Sequence, residues 1–401
     1  MLKDLTTADY IKYEDELGAT TYSPLDLVVE RAEGVWLYDV DGNKYLDCAS
    51  AYSSVNLGHC HPKVLQALKD QAEKVTQVSR ALRNTQMSLF FKEITDLVGK
   101  NNVLPMNTGA EAVETAVKMA RKWAYTVKNI EKDKAEIIVC ENNFHGRTTT
   151  VISFSSQPAY KEYFGPLTPG FKIIPYGDVE ALKNAITPNT CAFLVEPLQG
   201  EGGIIVPPEG YLKEVKQVCE DNNVLLMLDE IQSGFGRTGK MFCYEHDGIE
   251  PDALIVGKSL SNGFYPVSAV LADKSIMGVF KPGEHGSTFA GNPLGCAVAR
   301  KSMQILQEEN LVQKAEELGN YLMDKLRKLD NPAIKEIRGK GLFIGIELNK
   351  PARAYCEKLM GEGIFCKETH TYIIRISPPL VITKEEIDFI YDCLAKVIRE
   401  G

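Results

Sequence analysis

The sequence predicts an α/β protein in which a large domain with a mostly parallel sheet is flanked by a smaller α+β domain. Three observations carry that prediction. Residues 137–140, 192–196, 224–228 and 253–256 are near-continuous apolar runs of strand length, the pattern of strands covered on both faces. Between about residues 103 and 275, segments with helical apolar spacing separate those runs. Residues 293–328 then read as almost wholly helical, which predicts a long connecting helix before a final α+β stretch.

Each element follows in chain order. Residues 34–47 place Asp41-Gly42 between two alternating segments, the signature of a β-hairpin. Residues 62–79 and 84–98 carry helical spacing. Near the C-terminus, residues 341–348 and 372–376 read as strands and the last stretch as a helix. The chain has 401 residues, enough for two domains. The expected division is an N-terminal segment 1–52, a large domain 53–310 and a small domain 311–401, with both chain ends feeding the smaller unit.

Composition excludes several classes. Hydrophobic content of 44% and charged content of 25% are those of an ordinary globular chain. A net charge of −9 argues against nucleic acid or an anionic membrane as the partner. The ten cysteines include no Cys-x-x-Cys pair, and Cys140, Cys191, Cys219, Cys296 and Cys393 lie in apolar runs, so reduced, buried thiols are expected. His59-Cys60-His61 lacks a second ligand pair, so no metal is expected. Met1-Leu-Lys-Asp-Leu carries no secretory pattern, and no 18-residue apolar run follows. A cytoplasmic location is the expectation.

The chemistry concentrates where apolar runs end. The run 224–228 stops at Asp229, and 29 residues further on the run 253–256 stops at Gly257-Lys258. In an open α/β sheet, ligands bind outside the carboxyl ends of the strands. An acid at one such end and an amine at another suit a pyridine cofactor, the acid keeping the ring nitrogen protonated and the lysine condensing with its aldehyde. Asn107-Thr108-Gly109-Ala110 opens an amphipathic helix, whose free N–H groups and dipole suit a phosphate. Phe144 and Arg147 follow another run; an aromatic there suits a flat ring and an arginine suits a carboxylate. Glu196 and Glu201 bracket a glycine-containing loop after a third run. Taken singly, each feature has a structural explanation: a solvated strand end, a capped helix, a packing phenylalanine.

Together these loops resemble the class III, pyridoxal-phosphate-dependent ω-aminotransferases of fold type I, over nearly the whole chain. The resemblance is carried by Tyr52 with residues 55–62, by 104–112, 144–147, 196–201 and 229–232, and by Gly257-Lys258. It continues through 282–288, 338–342 and 367–370, leading to 374–379. The resemblance implies that Lys258 carries the cofactor and moves the proton, Asp229 pairs with the pyridine nitrogen, Gln232 bonds the ring hydroxyl and Phe144 stacks on the ring. It implies that Gly109 and Ala110 N–H groups hold the phosphate, helped by Thr288 of a second subunit in a homodimer. Around Met106, Tyr52 and residues 367–375 the chain is most similar to the ornithine-using branch. That likeness implies δ-amino transfer from L-ornithine to 2-oxoglutarate, giving glutamate 5-semialdehyde (hence pyrroline-5-carboxylate) and glutamate. Tyr22, Tyr52 and Arg147 would meet ornithine, and Arg375 the α-carboxylate of glutamate, with Glu201 as its exchangeable partner. An acetylornithine or other ω-amino acid aminotransferase is the alternative. Ser259, Asn262 and Ala290 depart from the common pattern and raise the question of substrate fit.

Overall fold

The computed structural model describes residues 5–401; the reading of Met1–Asp4 therefore lies outside the described residues. Its centre is a seven-stranded sheet. The strand order is Asn102–Met106, Ser268–Ala272, Ala253–Val256, Leu225–Asp229, Thr190–Val195, Glu136–Cys140, Phe171–Ile174. Six strands run one way. Ser268–Ala272 alone runs against both its neighbours. The predicted apolar runs are buried throughout Thr190–Val195, Leu225–Asp229 and Ala253–Val256. A leucine-to-alanine change in such a strand typically costs about 2–5 kcal/mol, because a cavity adds to the lost transfer energy.

The helix Gly109–Thr126 lies on one face of this sheet. Thr108 caps it in a reciprocal box with Glu111, and its buried face is rich in small residues: Ala112, Ala116, Ala120 and Ala124. On the opposite flank Pro293–Glu308 packs against Pro62–Ala72 and Thr85–Val98.

Two smaller sheets complete the chain. Val29–Glu33, Trp36–Asp39 and Lys44–Asp47 form an antiparallel meander around the predicted Asp41-Gly42 turn. Ile364–Phe365 joins its edge in parallel, so segments from the two ends of the chain share one sheet. Ile334–Lys340, Phe343–Leu348, Ile373–Ile376 and Lys367–Thr369 form a second antiparallel sheet, with Leu311–Arg327 packed on Ile334–Lys340 and Arg353–Gly361 on Lys367–Thr369.

Two helix expectations need correction. Residues 293–328 are two helices, Pro293–Glu308 and Leu311–Arg327, separated where Asn310 takes a left-handed conformation with φ of 52°. Apolar periodicity continues across that break, which is why one helix was expected. The segment 62–79 is helical only over Pro62–Ala72; Gln71 Nε2 donates to the Val75 carbonyl at 2.8 Å and turns the chain away. Nine of the ten cysteines are buried and all are unpaired, and among the described residues no helix is long and apolar enough to cross a membrane.

Candidate active site

Six strands point the same way, so their carboxyl ends assemble one row of loops, and a pocket opens among them. Its floor is Asp229, the last residue of its strand and almost fully buried. Asp229 Oδ2 accepts from His145 Nδ1 at 2.6 Å, and Oδ1 accepts from the Ile231 N–H at 3.0 Å. Burial of His145 opposes its charge, but the bond to Asp229 and the charges of Asp229 and Glu196 win, raising it above an ordinary histidine. Both side chains are buried, so this hydrogen bond, not water, holds the Asp229 carboxyl in place.

Lys258 enters the same pocket from the end of Ala253–Val256. Its φ of 44° lies in the left-handed region, where a non-glycine residue costs about 1–3 kcal/mol and is kept only if the surroundings enforce it. The amine has no hydrogen bond or ion pair among the described residues. Burial lowers its proton affinity, with Arg375 adding to that and Glu201 and Asp229 opposing it. An amine whose proton is held less tightly, facing a pocket, is brought nearer to the form that attacks a carbonyl.

The helix at Gly109 supplies the third group. Its cap uses the Glu111 N–H, leaving the Gly109 and Ala110 N–H groups at the pocket wall without an acceptor among the described residues. Gly146, with φ of 124°, lies so close that a Cβ there would sit 2.9 Å from Ala110 Cβ. Phe144 forms another wall, and its N–H donates to Glu196 Oε2 at 3.1 Å. Burial pushes Glu196 up to about 8, with Asp229 raising it further and His145 countering.

One side of the pocket carries an ion pair. Arg375 Nη1 donates to Glu201 Oε1 at 2.5 Å, and the guanidinium stands 5.0 Å from the centre of the Tyr52 ring. Burial would raise Glu201, yet Arg375 and Lys258 draw it down to about 2. Gln232 Nε2 donates to the same Glu201 oxygen at 3.0 Å and to the Tyr52 carbonyl at 3.3 Å. That arrangement requires a glycine at 200, where a Cβ would fall 1.8 Å from Gln232 Oε1.

Thus Lys258, Asp229, Gln232, Phe144, Gly109 and Ala110 line one pocket, and Glu201, Arg375 and Tyr52 adjoin it through Gln232. Arg147 is exposed beside Phe144, and Tyr22 is 78% exposed. Thr288 lies apart, exposed in a separate cleft with Leu104, Met106 and Ser287. Asn262 is buried away from the pocket, bonding the Leu57 N–H and the Gly58 carbonyl, and Ser259 is buried next to Leu57. Sequence reasoning missed His145 as the partner of Asp229; its only signal was its place directly after Phe144.

The model of the class-III aminotransferase family matches residues 17–398. The chain belongs to that family. Among class-III aminotransferases it is 59% identical, over 97% of its length and 98% of the relative's, to the ornithine aminotransferase of Brevibacillus brevis. It is 54% identical to that of Bacillus subtilis, over 98% of both. The solved ornithine aminotransferase of Toxoplasma gondii, which has pyridoxal phosphate partly occupying its active site, superposes with a TM-score of 0.98 at 44% identity, covering 100% of this chain and 95% of that one. The acetylornithine aminotransferase of Elizabethkingia anophelis superposes with a TM-score of 0.91 at 46% identity, covering 99% and 100%.

The residues present suit the cofactor of this family. An unbonded amine matches an aldehyde, a buried carboxylate matches a protonated ring nitrogen, and free N–H groups at a helix start match a phosphate.

Proposed function

We propose that the chain is an ornithine δ-aminotransferase, passing the δ-amino group of L-ornithine to 2-oxoglutarate. The observation that carries this reading is the Glu201–Arg375 pair, positioned beside the amine of Lys258. Lys258 would hold pyridoxal phosphate through its aldehyde, Asp229 its ring nitrogen, Gln232 its hydroxyl, Gly109 and Ala110 its phosphate, and Phe144 the ring face. When bound, the cofactor supplies a conjugated cation that accepts the electron pair left as the substrate loses a proton.

The chain's own groups do the rest. Lys258, its proton affinity lowered by burial, takes that proton from the substrate carbon and returns it, keeping it out of bulk water. His145 and the Ile231 N–H both bond Asp229 and hold its carboxyl in place. Arg147 binds the ornithine carboxylate and Tyr22 the α-amine, leaving the δ-amine to reach Lys258. Glu201, ionised down to about pH 2, occupies Arg375 while the diamine is bound. A dicarboxylate displaces Glu201 and takes the arginine. One fold thereby accepts two substrates of different charge.

Thr288 stands exposed outside the pocket, which supports a homodimer in which it reaches the neighbouring site. A cytoplasmic location is part of the same reading. The likeness to the Elizabethkingia enzyme keeps acetylornithine as the second reading. A panel of amine donors with 2-oxoglutarate decides between them, with pyrroline-5-carboxylate trapped by an aromatic aldehyde. Ornithine should give the trapped product; turnover of N-acetylornithine alone would overturn the assignment.

A further inference from the structure

Arg147 is held in an unusual way for an exposed arginine. Among the described residues its guanidinium makes no hydrogen bond and no ion pair; its face lies 3.7 Å from the centre of the Tyr160 ring and 5.6 Å from that of Phe144. The two rings meet edge to face, 6.4 Å apart at 80°. An aromatic face attracts the flat side of a guanidinium and uses none of its N–H groups, so the edge that forks onto a carboxylate stays available.

The stacking partner is fixed in place. Tyr160 sits on the single helical turn Pro158–Lys161, where its N–H donates to the Gln157 carbonyl at 3.1 Å. That turn is tied to the loop that bears Phe144, because Ser156 Oγ accepts from the Asn142 N–H at 2.8 Å. The Tyr160 hydroxyl makes no hydrogen bond among the described residues, so the ring itself is the functional part.

We propose that Tyr160 is a positioning residue for the amine donor: its ring holds the Arg147 guanidinium beside Phe144 with the carboxylate-binding edge free. This rests on the reading in which Arg147 takes the ornithine carboxylate. Without the ring, the arginine must lose its own side-chain freedom on binding, and the donor binds more weakly with the chemistry unchanged.

The test is a cycle of Tyr160→Phe, Tyr160→Ala, Tyr160→Leu, Arg147→Ala and the Arg147→Ala/Tyr160→Ala double variant, read as KM and kcat for ornithine together with the cofactor's absorbance. Tyr160→Phe should match the parent. Tyr160→Ala and Tyr160→Leu should raise KM about tenfold, the scale of one desolvated cation–π contact, with kcat and absorbance preserved. In the Arg147→Ala background, removing Tyr160 should change nothing further. Additive effects, or a fall in kcat with KM unmoved, would overturn the proposal. An unchanged KM in Arg147→Ala would remove the arginine's own role, a different failure that leaves Lys258 and Asp229 untouched. Tyr160→Leu keeps bulk at the site should the alanine variant not fold.

Discussion

At the floor of the pocket, Asp229, His145 and Glu196 stand at or just after strand ends, buried and bonded to one another or to backbone N–H groups. At its rim Arg147 stands exposed on a loop beside Phe144; Tyr22 and, in a separate cleft, Thr288 are also exposed on loops, and none of the three side chains makes a hydrogen bond among the described residues. The floor is finished within one chain and its hydrogen bonds are made before any ligand arrives, so binding there costs little reorganisation. On the proposed reading these exposed residues are completed from outside, Arg147 and Tyr22 by substrate and Thr288 by a second copy. Changes at the floor should therefore cost chemistry, and changes at the rim should cost affinity.

The largest effect should come from the floor. Asp229→Ala leaves His145 buried without its acceptor and the cofactor ring without its counter-ion; kcat for ornithine should drop about 10³-fold, the scale of losing a preorganised electrostatic contact at a reacting centre. A drop confined to KM would erase the distinction between floor and rim.

Glu201 belongs to neither class alone, since it is half-buried and ion-paired yet, on the proposed reading, must move. Glu201→Ala should raise the share of α-amino over δ-amino transfer from ornithine at least about tenfold, because Arg375 is then free to bind the diamine's carboxylate. Product analysis by mass reads the outcome, and unchanged regiochemistry would contradict the exchange. At the rim, Thr288→Ala should weaken cofactor retention about tenfold, as for one hydrogen bond to a charged group, with kcat at saturating cofactor preserved. Unaltered cofactor affinity would separate Thr288 from the phosphate.

The last effect, on stability, concerns Glu196. Its carboxyl is raised from 4.5 to about 8, so the folded chain keeps this proton where the unfolded chain has released it. Stability from this group is thus full below pH 4.5 and falls as pH rises toward 8, by at most about 1.4 kcal/mol per pH unit. Melting curves of cofactor-free protein across that range should decline less in Glu196→Gln than in the parent. Parallel declines would show that Glu196 ionises freely at the floor.

Much of the floor was legible in the sequence, because its apolar runs end in the residues that matter and a parallel sheet brings such ends together. What could not be read was the strand order. Thr190–Val195 and its loop stand between the strands of Asp229 and the loop of His145, so nothing in local spacing pairs those two residues. Gln232 illustrates the same limit: the resemblance assigns it to the cofactor from a place three residues beyond Asp229, and no local signal announces that its amide also bonds Glu201 and the Tyr52 carbonyl across the fold. Asn262, which reads as a change near the ligand, is a tie to residues 57 and 58 that local sequence does not announce. The break at Asn310 was hidden because apolar spacing resumes in register on its far side.

The most direct measurement is borohydride fixation of pyridoxal phosphate on the purified chain, followed by peptide mapping. The account predicts one reduced adduct, on Lys258, formed in the parent and absent in Lys258→Ala, which should also lose transamination altogether. A protein that stays colourless with the cofactor, or that carries the adduct on another lysine, would contradict it.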